Sequence, residues 1–342
     1  MFESDLRHVR TLMTPFGIIE HSDGCVPRWE SGVCLDDVAR VLVLASREPA
    51  SVELAEWSDL CLAYIEEAHL GGSRFADRRS VNGRWIGDVA GDDSRGRALW
   101  GLGAAAAGLR DRRLRERARR LFDIVADFRS PHPRSTAFAV FGAGEVLSVD
   151  PDSVHARHLV FEGALDIDAV LGANDVEPDW QWPESDLTYA NAAIPEMLMI
   201  LGRETSDMDL VEYGLSLLSW LVETETHQRG HLSPTPTSGR SRNNTEPGFD
   251  QQPIEVSTLA DACATAWNVT GDDRWTEHIG RCVAWFQGHN DNGVSMVNPR
   301  TGGGYDGLTP SGVNLNQGAE STLAMLTTMQ YRWNPAVKRG RA

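Results

Sequence analysis

Asp36 and Asp37 stand side by side at the head of GVCLDDVARVLVLA (32–45), a segment that is otherwise apolar and helical in its period. Two adjacent carboxylates followed by Arg40 admit two readings. One acid can cap the helix and meet its dipole, while Arg40, three and four residues on, pairs along the same face. Alternatively, carboxylates crowded into an apolar setting push at least one proton affinity upward. One protonated acid beside one ionised base is what glycoside hydrolysis needs.

The same theme recurs along the chain. GDDSRGRALWGLGAAAAG (91–108) places Asp92 and Asp93 ahead of Arg95 and Arg97. WQWPESDLTYANAAIPE compresses Trp182, Glu184, Asp186, Tyr189 and Asn191 into ten residues, an aromatic, carboxylate and amide mixture suited to a neutral polyhydroxylated ligand. FDQQPIEVSTLADA carries Asp250, Gln251, Gln252 and Glu255. Its Pro253 suits a first helical turn, which leaves Glu255 near that turn, either as a dipole carboxylate or as a catalytic one. NLNQGAESTLA adds Asn314, Asn316, Gln317 and Glu320. The expected catalytic pair is one of Asp36 and Asp37 with Glu255 across from it. Trp182, Tyr189, Gln251, Gln252 and Asn314 are expected to position sugar.

These clusters need elements that bring them together. Helical period dominates over alternation, and no convincing run of strands is present. Six segments share one form, a polar loop and a functional cluster followed by a helix of small and apolar residues. They span 32–45, 91–108, 133–147, 185–201, 250–267 and 316–329. Between them lie six more charged, amphipathic helices, near 3–13, 52–69, 111–128, 153–171, 206–226 and 272–288. Alternation of outer and inner helices, six times each, predicts an all-α (α/α)6 toroid over residues 1–335, followed by a short basic tail at 336–342. In such a ring the inner helices run parallel, so their N-terminal ends and all six clusters gather at one mouth. The long loops 226–249 and 289–315 feed that mouth and are expected to shape a substrate site.

Composition narrows the chemistry. Lys plus Arg number 32 against 49 Asp plus Glu, a formal charge of −17, which repels phosphate backbones and anionic membrane surfaces. Nucleic acid and membrane are therefore not expected partners. The N-terminus lacks a basic, apolar leader and no segment reaches the ~18 apolar residues of a membrane span, so a soluble, cytoplasmic protein is expected. Five scattered cysteines without C-x-x-C spacing read as free thiols rather than as a disulfide or zinc framework. Of eleven tryptophans, Trp100, Trp220, Trp267 and Trp285 sit in apolar helical runs and read as core. Trp29, Trp85, Trp180 and Trp182 lie in polar loops, where an indole can stack on the apolar face of a sugar. Neither an H-E-x-x-H pattern nor a G-x-S-x-G elbow occurs, which removes the zinc-peptidase and serine-hydrolase readings.

Taken in order, GVCLDDVAR, GDDSRGRALWGLG, WQWPESDLTYANAAIPE, FDQQPIEVSTLADA, WFQGHNDNG and GGGYDGLTPSGVNLNQGAESTLA resemble a family of bacterial (α/α)6-toroid, glycosidase-like proteins found alone or fused behind glycosyltransferases. The resemblance spans almost the whole chain. It implies a glycoside hydrolase acting on an α-linked, mannose-containing oligo- or polysaccharide, with inversion, and with no metal or organic cofactor. A mycobacterial subgroup of the family hydrolyses methylmannose polysaccharide, an α-1,4-linked mannan, which implies endo action on such a polymer. Val38 and Pro183 depart from the family pattern, which leaves the fine substrate preference open. Beyond the catalytic acids, the resemblance carries sugar binding onto Arg40, Asp93, Trp182, Glu184, Tyr189, Asn191, Gln251, Gln252, Asn314, Gln317 and Glu320. A sugar epimerase or isomerase on the same ring would instead need histidines at the mouth, for which His21, His132, His227, His231 and His289 are placed in loops. A third reading is a carbohydrate-binding toroid without catalysis.

Overall fold

The computed structural model describes residues 4–165, 167, 180–244 and 246–332. Among them are twelve α-helices: α1 (Arg7–Leu12), α2 (Leu35–Arg47), α3 (Val52–Ala68), α4 (Asp92–Gly108), α5 (Arg112–Val125), α6 (Pro133–Val149), α7 (Val154–Leu165), α8 (Ala193–Thr205), α9 (Met208–Thr224), α10 (Pro253–Thr270), α11 (Arg274–Phe286) and α12 (Ala319–Gln330). The even-numbered helices pack in the order α2, α4, α6, α8, α10, α12, and α12 returns to α2, which closes the inner ring. The odd-numbered helices flank them. This is the (α/α)6 toroid that the spacing of small-residue segments predicts.

The residue types explain the two layers. Inner helices are buried over most of their length, α10 from Pro253 to Ala266 without interruption. Outer α5 buries only Leu114, Ala118, Leu121, Phe122 and Val125, a single stripe at helical spacing. Glycine lets the inner helices touch. A Cβ on Gly103 of α4 would stand 2.1 Å from the Gly142 carbonyl oxygen of α6, and one on Gly142 would stand 2.2 Å from that of Leu99. Only hydrogen fits between these backbones.

Helix starts differ between the layers. Outer α3, α5 and α9 are capped by the side chains of Ser51, Asp111 and Asp207, which accept from first-turn N–H groups. No inner helix has a side-chain cap, so the N-terminal amides of all six are left to the loops at the mouth.

Short antiparallel pairings, which the sequence reading did not include, stiffen those loops. Val33–Cys34 pairs with Arg78–Arg79, the strand Arg74–Arg79 also pairs with His69–Gly71 and Trp85–Val89, and Asp186–Leu187 pairs with Arg240–Ser241. The segment 185–201 enters its helix at Ala193, after the loop and cluster in which 186–187 are held in a ladder. Of the helix expected over 153–171, α7 reaches Leu165, and 168–171 lie outside the described residues, as does the 336–342 tail. Cys34, Cys61, Cys263 and Cys282 are buried free thiols, and Cys25 is half-buried and also free. No described helix is long and apolar enough to cross a membrane.

Candidate active site at the mouth of the ring

The strand Val33–Cys34 delivers the chain to α2 with Asp36, Asp37 and Arg40 on one helix face. Arg40 Nη1 donates to Asp36 Oδ2 at 2.8 Å and to Asp37 Oδ1 at 2.6 Å, while Nη2 donates to Glu320 at the start of α12. The Cys34 thiol donates to Asp37 Oδ2 at 3.1 Å. Three carboxylates thus share one buried guanidinium. Burial, reinforced by the neighbouring charge of Asp36, pushes the Asp37 carboxyl up to about 7. Burial would raise Asp36 as well, but the Arg40 charge outweighs it and holds Asp36 at about 2. The pair therefore holds one proton near neutrality.

These residues line a cavity of about 290 Å³ at the N-terminal ends of the inner helices. Its wall includes Asp36, Asp37, Arg40, Gln252, Asn314 and Glu320, all expected from sequence as site residues, with Asp250 of the FDQQP cluster, His21, which the epimerase alternative places in a loop able to reach the mouth, and Glu20 and Asp306, for which the sequence holds no expectation. Asp250 had a signal in the FDQQP run, and Asp306 one in the glycine-rich GGGYDG. Glu20 sits in IIEHSDG ahead of α2, where nothing in the sequence marks it. Asp306 is partly committed, accepting from the Gly318 amide at 2.7 Å, and Glu20 is paired with Arg78. Asp250 is exposed, and among the described residues its carboxylate has no side-chain partner.

The fourth cluster and Glu255 form a separate network. Arg134 clamps Glu184 with Nη1 at 2.8 Å and Nη2 at 2.7 Å, and Nη2 also reaches Asn191 Oδ1 at 3.1 Å. Arg97 Nε donates to Asp93 Oδ2 at 2.9 Å and Nη2 to the Tyr189 hydroxyl, while its guanidinium lies 3.8 Å over the Phe138 ring. Glu255 does not line the cavity. Its carboxylate accepts from the Ala190 amide at 2.7 Å and the Asn191 amide at 3.3 Å, fixing a turn in which Ala190 has φ of 43°. Burial, with the charge of Glu225, pushes Glu255 up to about 8 despite those amides.

Several expected sugar contacts are corrected by burial. Trp182 is buried, stacks on Trp220 at 6.2 Å between centroids and donates to Glu184 Oε2 at 3.2 Å. Trp180 is likewise packed edge-on against Trp220 at 5.1 Å. A polar, proline-containing sequence hid this, because the ring they bury against lies on α9, about forty residues away. Gln251 is fully buried and donates to the Gly248 carbonyl at 3.0 Å and to Asp291. Gln317 is buried beneath the mouth, where its amide donates to Ser22 Oγ at 2.8 Å and its carbonyl meets His8 Nε2 at 2.7 Å. Asn191 is buried and accepts from the Thr188 amide at 2.9 Å. These five side chains are walls and tethers.

Among the described residues, two donor groups are close enough to be considered for a cation: Cys34 with Asp36 and Asp37, and His227 with His231 and Asp291. Both are engaged. Arg40 already neutralises the first. In the second, His227 Nδ1 accepts from the Arg229 amide at 3.0 Å, and Asp291 accepts from His231 and Ser233 at 2.8 and 2.7 Å. His227 and His231 stack on each other at 4.5 Å, outside the cavity wall, which contains His21 as its histidine.

Fold and site together define an (α/α)6 toroid with a carboxylate-lined mouth. Among solved structures it is similar to a sugar epimerase from a ruminal bacterium, with a TM-score of 0.72, 12% identity, and 99% of this chain covered against 97% of that one. It is similar to the cellobiose 2-epimerase of Spirochaeta thermophila, with a TM-score of 0.70, 12% identity and coverage of 98% and 94%. It is also similar to a GH76 α-mannanase of Bacteroides thetaiotaomicron, with a TM-score of 0.63, 12% identity and coverage of 98% and 94%. At such identities the likeness shows the fold. No protein-family model and no curated protein matches the chain.

Proposed function

We propose that the protein is a glycoside hydrolase acting on an α-linked, mannose-containing oligo- or polysaccharide. The observation that carries this reading is the Asp36–Asp37 pair, whose proton affinities are driven apart at the wall of an open, acid-lined cavity. The proton held by the Asp36–Asp37 pair goes to the glycosidic oxygen as the bond to the anomeric carbon breaks. Asp250, reaching the cavity from the loop before α10, takes a proton from the water that attacks that carbon. Acid and base then come from segments that are not adjacent in the ring, and a gap of ~6.5–9.5 Å between them, wide enough for the attacking water, is what inversion requires. Gln252, Asn314 and Glu320 supply hydroxyl contacts. Glu255, with both oxygens engaged by backbone, becomes a positioning residue for the turn that carries Tyr189, in place of its expected catalytic role. The toroid structure of an α-mannanase and the ordered sequence motifs support the mannan preference, and the open cavity supports endo action on an α-1,4-linked, methylated polymer.

A second reading, a sugar epimerase or isomerase, is supported by the epimerase structures and by His21 at the cavity wall. One experiment separates the two. Incubation with α-linked mannans, α-glucans and free oligosaccharides, followed by proton NMR, should show shorter chains with an inverted new anomeric centre. Epimerised or isomerised sugar at constant chain length would replace the hydrolase reading, and no conversion of any of these substrates would remove both.

A further inference from the structure

The cavity is at the small end of ligand pockets, which run ~300–1,000 Å³, so a polymer entering it must leave most of its length outside. Beside the cavity, three large apolar side chains stand in water. Val26 is 60% exposed, Trp29 51% and Leu315 65%. They are held on scaffolding tied to the cavity wall. Trp29 opens the 3₁₀ turn Trp29–Ser31, just ahead of the strand that leads into α2. The Arg28 amide donates to the His21 carbonyl at 2.8 Å, the His21 amide to Ser31 Oγ at 3.3 Å, and Arg78 Nη1 reaches both the Ser31 carbonyl and Glu20. Leu315 follows the cavity residue Asn314, and Asn316 Oδ1 accepts from Gly24 at 2.9 Å in the hairpin that carries Val26. Fixed apolar side chains next to a polar cavity are placed for a ligand with both characters.

We propose that the exposed Trp29, carried like Val26 and Leu315 on loops tied to the cavity wall, forms with them an outer glycan subsite continuous with the cavity, which binds the part of a neutral polysaccharide chain that the cavity cannot hold. This rests on the carbohydrate reading above. The indole covers the C–H face of a sugar ring, while the carboxylates of the cavity read hydroxyl groups on the units inside. Neutral glycan is favoured over uronic-acid polymers because Asp36, Asp250, Asp306 and Glu320 stand at the cavity wall and the chain carries −17 overall.

The test measures binding of a length series of α-mannooligosaccharides, from disaccharide upward, by calorimetry on protein carrying Asp37→Asn to prevent turnover. Adding Trp29→Ala should lower the ratio of long-chain to short-chain affinity about tenfold, the size of a lost aromatic contact. Trp29→Phe should restore most of it. Trp29 is exposed, so thermal melts should coincide and exclude unfolding as the cause. An unchanged ratio in Trp29→Ala, with wild-type rim binding intact, overturns the subsite alone. Failure of the wild-type rim to bind any member of the series overturns the carbohydrate reading with it.

Discussion

Arg40 is the residue on which the mouth turns. Its guanidinium is buried and meets Asp36, Asp37 and Glu320, so removing it leaves three acids without their shared counter-charge. Arg40→Met should destabilise the fold by about 3–5 kcal/mol, measured by denaturant unfolding at pH 7. Asp37→Asn has a different signature. It removes the proton that the pair holds but keeps the hydrogen-bonding shape, so kcat should fall about 10²–10⁴-fold while oligosaccharide affinity by calorimetry is kept. With Asp37 at about 7, the wild-type activity should decline on the alkaline side of that pH as the acid loses its proton. The local half of this site was legible in sequence, since Asp36, Asp37 and Arg40 are related by helical spacing alone. The rest was not, because Glu320 meets Arg40 across 280 residues of chain and Glu255 meets Ala190 across 65. A first-turn acid looks the same in sequence whether it faces a substrate or a neighbouring loop's amides.

At the scale of elements, the inner helices owe their contact to residues with almost no side chain. Gly103 and Gly142 face one another where α4 meets α6, and the neighbouring atoms are backbone, which cannot rotate away. Gly103→Ala should therefore destabilise the ring by more than about 2 kcal/mol by chemical denaturation, although alanine is the better helix former. An alanine at Gly280 of α11, where nothing lies within 4 Å of the added methyl, should be neutral or stabilising by about 0.5–1 kcal/mol. This contrast follows from the small-residue stripes that made inner and outer helices distinguishable in sequence. Two-residue strands carry no period, however, so the ladders that straighten 33–34 and 186–187 could not be read. The Trp182 side chain was misjudged for a related reason, since loop composition says nothing about a distant aromatic such as Trp220 arriving to cover it.

For the whole molecule, burying acids at the centre of a chain of charge −17 sets the direction of its pH dependence. Asp37 is raised from 3.8 to about 7 and Glu255 from 4.5 to about 8. Between the unfolded and folded values the native state binds more protons than the unfolded chain, so stability falls as pH rises through that window and levels off above it. Asp36, lowered to about 2, acts oppositely, but only as the pH falls below about 4. Self-repulsion of the net negative charge, established as the ordinary carboxylates ionise near pH 4, lowers stability across the whole of that range. Thermal melts at fixed ionic strength should therefore peak near pH 5 and decrease steadily to pH 9. Salt should offset the self-repulsion but not the two buried acids, because screening reaches surface charges more than interior ones. The double variant Asp37→Asn, Glu255→Gln should flatten the slope between pH 5 and 8 even in 1 M salt. A slope unchanged in that variant would place the pH dependence on the surface charge instead.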